Sequence, residues 1–460
     1  MAKQQSIDPA TGNVAFEIEE HSPAEVEGRV ALAASAAVAW AASAVNDRAE
    51  LLFRAADLLE AEREDFGRLM TQEMGKTLAS AIAEAEKCAA ACRYYADNAA
   101  RFLDPELVVD HGSEHGEVCY QPLGTVLAVM PWNFPFWQVI RFAAPAIAAG
   151  NTALLKHASN VPRSAIALED LFRRAGAPPG VFQSLLIPAR RVADLIADPR
   201  VHAVTLTGSE PAGRSVAEAA GRHLKKAVLE LGGSDPFIVC ESADLDRAAA
   251  VAVTARCINN GQSCIAAKRF IVVAPVFDRF LDRFTALMST LRVGDPMDPD
   301  TDLGPLATPA IRDELDAQVT ASLDAGARRT LGSGPIPGRG NYYSPTILVD
   351  VPRSAPAWSE ELFGPVALFH RVASLDAAIE LANATRFGLG ASVWTAKIAD
   401  ARRAELGLDC GTVFVNGMVA SDPRFPFGGV KASGFGRELG VWGLREFVNV
   451  KTVRRFGLER

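Results

Sequence analysis

The chain has 460 residues, 49% apolar and 22% charged, with a formal charge of −8. That length exceeds one ordinary hydrophobic core and calls for two large domains, with or without a small appendage, in the composition range of globular enzymes. An acidic sum without a basic stripe disfavours a nucleic-acid partner, and no apolar run reaches the roughly 20 residues that span a bilayer.

The first residues, Met1 to Pro9, carry neither an apolar signal core nor an Arg-rich leader, so a cytoplasmic location is expected. Residues 23–103 are rich in Ala, Glu and Leu at helical spacing, as in Leu51, Ala55 and Leu58. The texture turns strand-like over 105–130. Alternation follows: strands at 151–156, 181–187, 203–207 and 227–231, with helices at 162–174 and 211–222 between them. A second series runs through 237–239, 269–273, 347–349 and 391–394. Strand–helix alternation of this kind predicts an α/β fold with parallel, doubly wound sheets. The Gly- and Pro-rich stretch 331–341 reads as a surface connection. Lys451, Arg454 and Arg455 read as a surface strand.

Seven cysteines occur without a Cys-x-x-Cys pair, and only Cys88 and Cys92 share a helical face. This predicts reduced thiols and no metal site.

Five segments hold residues of chemical use. In Asn260-Gly-Gln-Ser-Cys264 a cysteine sits on a small-residue turn, where backbone N–H groups stabilise thiolate. A lone intracellular cysteine is otherwise a small buried apolar residue. In Leu229-Glu230-Leu-Gly-Gly233 a carboxylate stands between apolar residues at a strand end, where burial raises its pKa toward that of a general base. A salt-bridged or solvent-facing Glu is the other reading. Asn133 lies between Pro131 and Pro135 on a rigid turn after an apolar strand, the place where open α/β sheets bind ligands. Its amide suits a developing oxyanion, although Asn is also a common turn residue. Thr207-Gly208-Ser209 opens a helix whose N-terminus suits a pyrophosphate, without a Gly-x-Gly-x-x-Gly fingerprint. Glu361-Leu-Phe363-Gly-Pro365 offers a carboxylate and a ring at a turn.

Taken in order, these stretches, together with Gly150-Asn-Thr-Ala-Leu-Leu-Lys156 and Pro426-Phe-Gly-Gly-Val-Lys431, resemble the aldehyde dehydrogenase superfamily along nearly the whole chain. The 34-residue interval from Glu230 to Cys264 resembles the family too. The resemblance implies two doubly wound Rossmann-like domains and a small β oligomerisation element. An NAD(P)-binding domain would take 1–107 and 126–232, a catalytic domain 233–428, and the oligomerisation element 108–125 and 429–460. It implies Cys264 as nucleophile, Asn133 with the Cys264 N–H as oxyanion donors, and Glu230 as the base that hydrolyses a thioester. Lys156 would bind the adenosine ribose, Gly208 and Ser209 the pyrophosphate, and Glu361 the nicotinamide ribose, with Trp132 and Phe363 as cleft walls. NAD-preferring relatives carry Glu where Ser159 stands, so NADP is expected to be accepted and preferred over NAD. Arg141, eight residues after Asn133, and Ser421, six before Phe427, match the branch that oxidises succinate semialdehyde. The second arginine of some such enzymes is Ile258 here, and Arg424 is a candidate helper. For a broad or different aldehyde dehydrogenase, Trp137 and Phe136 would shape an apolar tunnel. Alternatives are another semialdehyde, an uncharged or aromatic aldehyde, or a non-enzymatic binding member. A homodimer or homotetramer is expected.

Overall fold

The computed structural model describes residues 2–111 and 114–457. Strands β1 (Lys3–Ile7) and β2 (Val14–Glu19) form an antiparallel hairpin that the sequence reading did not foresee. Four helices follow: α1 (Pro23–Ala42), α2 (Val45–Ala61), α3 (Arg63–Met74) and α4 (Leu78–Leu103). A capping box starts α1, with Ser22 and Glu25 exchanging bonds, and Thr77 caps α4. Buried alanines on α4 (Ala81, Ala85, Ala89, Ala99) let α2, α3 and α5 (Trp137–Ala148) approach closely. Cys88 and Cys92 are buried on that same face, as small apolar residues are.

Strands β3 (Glu106–His111) and β4 (Glu114–Pro122) pair with the C-terminal strand in a separate three-stranded antiparallel sheet. Then β5 (Thr125–Met130), β6 (Thr152–His157), β7 (Phe182–Ser184), β8 (Val201–Thr207) and β9 (Lys226–Glu230) build a parallel sheet. Helices α6 (Pro162–Arg174), α7 (Val192–Ala197) and α8 (Glu210–Arg222) connect its strands. The strand order is β9-β8-β5-β6-β7, so the direction of winding reverses between β5 and β8. Ligands bind at such a switch point, beyond the carboxyl ends of the strands.

The second sheet contains β10 (Asp235–Val239), then after α9 (Leu245–Cys257) β11 (Ala267–Val273), β12 (Arg328–Leu331), β13 (Thr346–Val349), β14 (Val366–Val372), β15 (Gly390–Trp394) and β16 (Thr412–Val415). Its order is β12-β13-β14-β11-β10-β15-β16, parallel except for β12. Every residue of β10, β11 and β15 is buried, which is why their apolar residues run consecutively, as in Phe237–Val239 and Phe270–Val273, rather than alternating. The chain then returns to the first sheet, adding β17 (Gly434–Phe435) antiparallel to β9. It ends in β18 (Val448–Phe456), which pairs with β4.

The strand expected over 181–187 contracts to Phe182–Ser184. The basic C-terminal cluster lies on β18, with Arg454 and Arg455 paired to Glu114 and Glu117. Residues 112, 113 and 458–460 of the expected oligomerisation element lie outside the described residues. Among the described residues no single helix is long and apolar enough to cross a membrane. Helices α1 and α2 reach that mark only as a pair bent by 117°, and both bury residues such as Val30, Leu52 and Leu59 in the core.

Candidate active site

A cavity of about 840 Å³ opens at the switch point. The turns after β5, β8 and β9 supply Trp132, Asn133, Gly208, Ser209 and Gly232, and the second sheet's side supplies Glu361 and Phe363. A second cavity of about 180 Å³ is lined by Phe134, Trp137, Arg141, Ile258, Ser421 and Phe427, among others. Cys264 lines both.

The turn before β11 holds Cys264 through a dense set of bonds. Asn259 and Asn260 adopt φ of +56° and +58°, a region Asn tolerates because its short amide bonds locally. Asn260 Nδ2 donates to the Gly75 and Pro305 carbonyls at 2.8 and 3.0 Å. Asn259 Nδ2 donates to the Asn133 carbonyl at 2.7 Å, tying this turn to the one after β5. Lys268, unnoticed in the sequence, donates to the carbonyls of Ser263 and Cys264 at 2.8 and 2.9 Å and pairs with Glu361 at 3.1 Å. Burial pushes the Cys264 thiol up to about 12, against the opposing fields of Arg141 and Lys268. The resting group is therefore a thiol, where the turn alone suggested a stabilised thiolate.

Asn133 is buried, and its Nδ2 donates to the Gln262 carbonyl at 3.1 Å. That leaves the second N–H of the amide available beside Cys264. Glu230, at the end of β9, is buried with no hydrogen-bond partner on either carboxyl oxygen. Burial, then the nearby Glu438, holds its pKa well above the usual carboxylate range. Its carboxyl rests against Gly428, where an added Cβ would stand 2.6 Å from Oε1. Glu230 lines neither cavity in this position.

In the larger cavity the rings of Trp132 and Phe363 meet edge to face at 5.7 Å. Ser209 is exposed at the start of α8, with no cap bond from its hydroxyl. Gly213 lets α8 seat on the strand end, since a Cβ there would meet Leu231 at 2.5 Å. Gly232 likewise gives room to Glu361, whose Oε2 would lie 2.3 Å from a Cβ. Lys156 and Ser159 lie at and just beyond the carboxyl end of β6, the neighbour of β5, outside the residues lining the cavity. Lys156 is buried, and among the described residues no carboxylate pairs with it. Ser159 is exposed on the following turn. Among the described residues no cluster of His, Cys, Asp or Glu is placed to hold a metal.

The smaller cavity gathers Arg141, Ser421 and Trp137. Arg141 is not a free cation there. Its Nε pairs with Glu438, Nη2 donates to Thr207 Oγ1 at 3.3 Å, and the guanidinium lies 4.7 Å over the Phe427 ring. The suggested helper Arg424 is 69% exposed and paired with Asp422 at 2.6 Å, outside the cavity. A surface turn lets it reach solvent, so it is withdrawn from the site. Ile258 lines the cavity, whereas Phe136, fully buried against Phe66, lines neither cavity and drops out of the tunnel. Besides Lys268, two residues were missed, Glu438 and Lys87. Lys87 Nζ donates to Ser421 Oγ at 2.7 Å and sits 4.2 Å over the Trp137 ring. Lys87 looks like any solvated lysine in an Ala-rich helix. The available signal was Glu84, a charge on the buried face one turn before it.

The family model of the aldehyde dehydrogenase family matches residues 2–453. The chain is 54% identical over 448 residues to a protein of Synechocystis sp. named probable succinate-semialdehyde dehydrogenase, NADP(+), covering 97% of this chain and 98% of that one. It is 52% identical over 451 residues to the succinate-semialdehyde dehydrogenase, NADP(+), of Mycobacterium avium, covering 97% and 96%. The crystal structure of succinic semialdehyde dehydrogenase from Streptococcus pyogenes in complex with NADP+ superposes with a TM-score of 0.95 at 37% identity, covering 98% and 99%. An NAD-dependent aldehyde dehydrogenase from Sinorhizobium meliloti gives 0.96 at 34% identity, covering 100% and 92%. The fold alone therefore does not discriminate between the two cofactors.

Proposed function

The chain belongs to the aldehyde dehydrogenase family, and from that premise we propose that it oxidises succinate semialdehyde to succinate with NADP. The observation that carries this reading is the small cavity that meets Cys264 and presents Arg141 and Ser421 to its contents. A guanidinium and a hydroxyl beside a reactive thiol suit an aldehyde with a distant carboxylate. The names of the relatives at 52–54% identity support the same substrate.

The chemistry assigned to the chain's own residues starts at Cys264. Glu230 turns from its resting place beside Gly428 toward the cavities, loses part of its burial, ionises, and accepts the thiol proton. The Cys264 sulfur then bonds to the aldehyde carbon. The oxyanion receives the free N–H of Asn133 and the backbone N–H of Cys264. The chemistry that NADP supplies when bound is acceptance of the hydride whose loss turns the thiohemiacetal on Cys264 into a thioester. Glu230 releases the thiol's proton to solvent and then takes a proton from water, whose oxygen attacks the thioester carbon. The C–S bond breaks, Glu230 returns its proton to the Cys264 sulfur, and the acid leaves, ionising to the carboxylate in solvent.

The residues present suit a dinucleotide phosphate. The Ser209 hydroxyl, uncommitted at the start of α8, and the helix N-terminus would hold the pyrophosphate. Lys156, buried and in no ion pair among the described residues, and Ser159 would hold the 2′-phosphate. Glu361, fixed by Lys268, would hold the nicotinamide ribose. We keep the domain boundaries of the sequence reading except that the segment containing β17, which pairs with β9, goes with the first sheet rather than the oligomerisation element, and we read the protein as a cytoplasmic homodimer or homotetramer.

The test is a kcat/KM panel of succinate semialdehyde, glutarate semialdehyde, butanal and benzaldehyde, each with NADP and NAD. Succinate semialdehyde with NADP should lead every other pairing by at least about tenfold, the size of one good polar discrimination. A faster uncharged aldehyde, or a lower KM for NAD than for NADP, would overturn the corresponding part.

A further inference from the structure

The reading of the chain as a semialdehyde dehydrogenase leaves one charge unexplained. Of the two cations lining the small cavity, Arg141 already has an anion: Glu438, 3% exposed, pairs with its Nε. Lys87 has none. Among the described residues, its Nζ donates only to the Ser421 hydroxyl, and its other neighbour is the face of Trp137. The nearest acidic side chain on its own helix, Glu84, is committed elsewhere. It pairs with Lys76 and accepts the N–H groups of Phe136 and Trp137, each at 2.9 Å. Asp422, beside Ser421, pairs with Arg424.

A part-buried cation facing a cavity without an ion-pair partner attracts an anion. The ammonium stands in a cavity that also contains the Cys264 thiol. We propose that Lys87 is the counter-ion of the substrate's distal carboxylate, with Ser421 as the hydroxyl that shares it. Arg141 then acts chiefly as Glu438's partner, and its unpaired guanidinium hydrogens complete the carboxylate's shell.

The charge pattern also predicts a pH signature. Burial, then the Arg141 guanidinium, pushes the Lys87 ammonium down to about 8, with Cys88, Glu84 and Asp422 acting in the opposite direction. An arriving carboxylate favours the protonated form. Below that pH the counter-charge is present; above it, binding of a carboxylate-bearing aldehyde weakens while that of an uncharged one does not.

The experiment compares succinate semialdehyde with butanal, of equal chain length, in the wild type, Lys87→Met and Lys87→Arg. Lys87→Met should raise KM for succinate semialdehyde about 100-fold with little change in kcat, and the preference over butanal should collapse by a similar factor. Lys87→Arg should restore much of it. In the wild type, KM for succinate semialdehyde alone should climb above about pH 8. Equal losses on both aldehydes in Lys87→Met would reduce Lys87 to a structural link between α4 and the Ser421 segment. An unchanged KM would also refute the proposal. If the wild type itself does not prefer succinate semialdehyde to butanal, the substrate reading fails before Lys87 is tested. If it does and Lys87→Met keeps that preference, only the present inference fails.

Discussion

A thiol pushed up to about 12, as Cys264 is, makes a poor nucleophile until something removes its proton. Alkylation of Cys264 by iodoacetamide in cofactor-free enzyme should therefore accelerate about tenfold per pH unit from pH 7 to 9, because only the thiolate reacts. A plateau below pH 8 would mean that the thiolate is already formed at rest. Arg141 carries a second prediction. Arg141→Met leaves Glu438 buried without its cation, a loss of about 3–5 kcal/mol when a buried pair is broken. The variant should melt well below the wild type and lose activity on both charged and uncharged aldehydes. A selective loss on the charged aldehyde, with unchanged melting, would restore Arg141 as the principal carboxylate ligand. At this scale the sequence showed residue types but not pairings. Cys264, Glu230 and Asn133 were each ambiguous until their order and spacing joined them. Lys87 and Glu438 come from distant parts of the chain, and nothing local marks the cavity where they meet.

Helix α5 presents Trp137 and Arg141 to the small cavity, and Glu84 of α4 holds its first amides. A carboxylate at a helix N-terminus satisfies N–H groups that the helix itself leaves unpaired. Glu84→Ala removes those acceptors and also strands the buried Lys76 ammonium. The expected loss is about 3–5 kcal/mol of stability, read by chemical denaturation; a loss below about 1 kcal/mol would show that the α4–α5 junction has other support. The sequence hid this helix, because it begins one residue after the Pro131–Pro135 turn and carries Pro145 inside. Buried strands such as β8 and β11 were legible as continuous apolar runs. The polar N-terminal hairpin, exposed on alternate residues or more, gave no such signal.

At the scale of the whole molecule, the outlying sheet β18-β4-β3 leaves the β3 edge exposed together with Leu107 and Val108. An unpaired edge of this kind suits pairing with a neighbouring subunit, so light scattering should give a dimer or tetramer mass, and a monomer at micromolar concentration would contradict that assignment. The reaction, too, needs both large sheets. Asn133 and Glu230 come from the strand ends of the first, and Cys264 stands on the turn that begins β11 of the second. Chain order could suggest this union, but only the topology brings the two edges to one cleft. In the proposed reaction the two sheets together form a thioester on Cys264, and Glu230 releases it with water. The direct test is Glu230→Gln mixed with excess succinate semialdehyde and NADP, then quenched for intact-protein mass. Acylation is expected to be slow, because the thiol has also lost its base, but deacylation slower still, so that Cys264 gains one succinyl group with about one NADPH formed per active site and steady turnover falls by about 10²–10⁴. Undiminished steady-state turnover with no acyl adduct would contradict it.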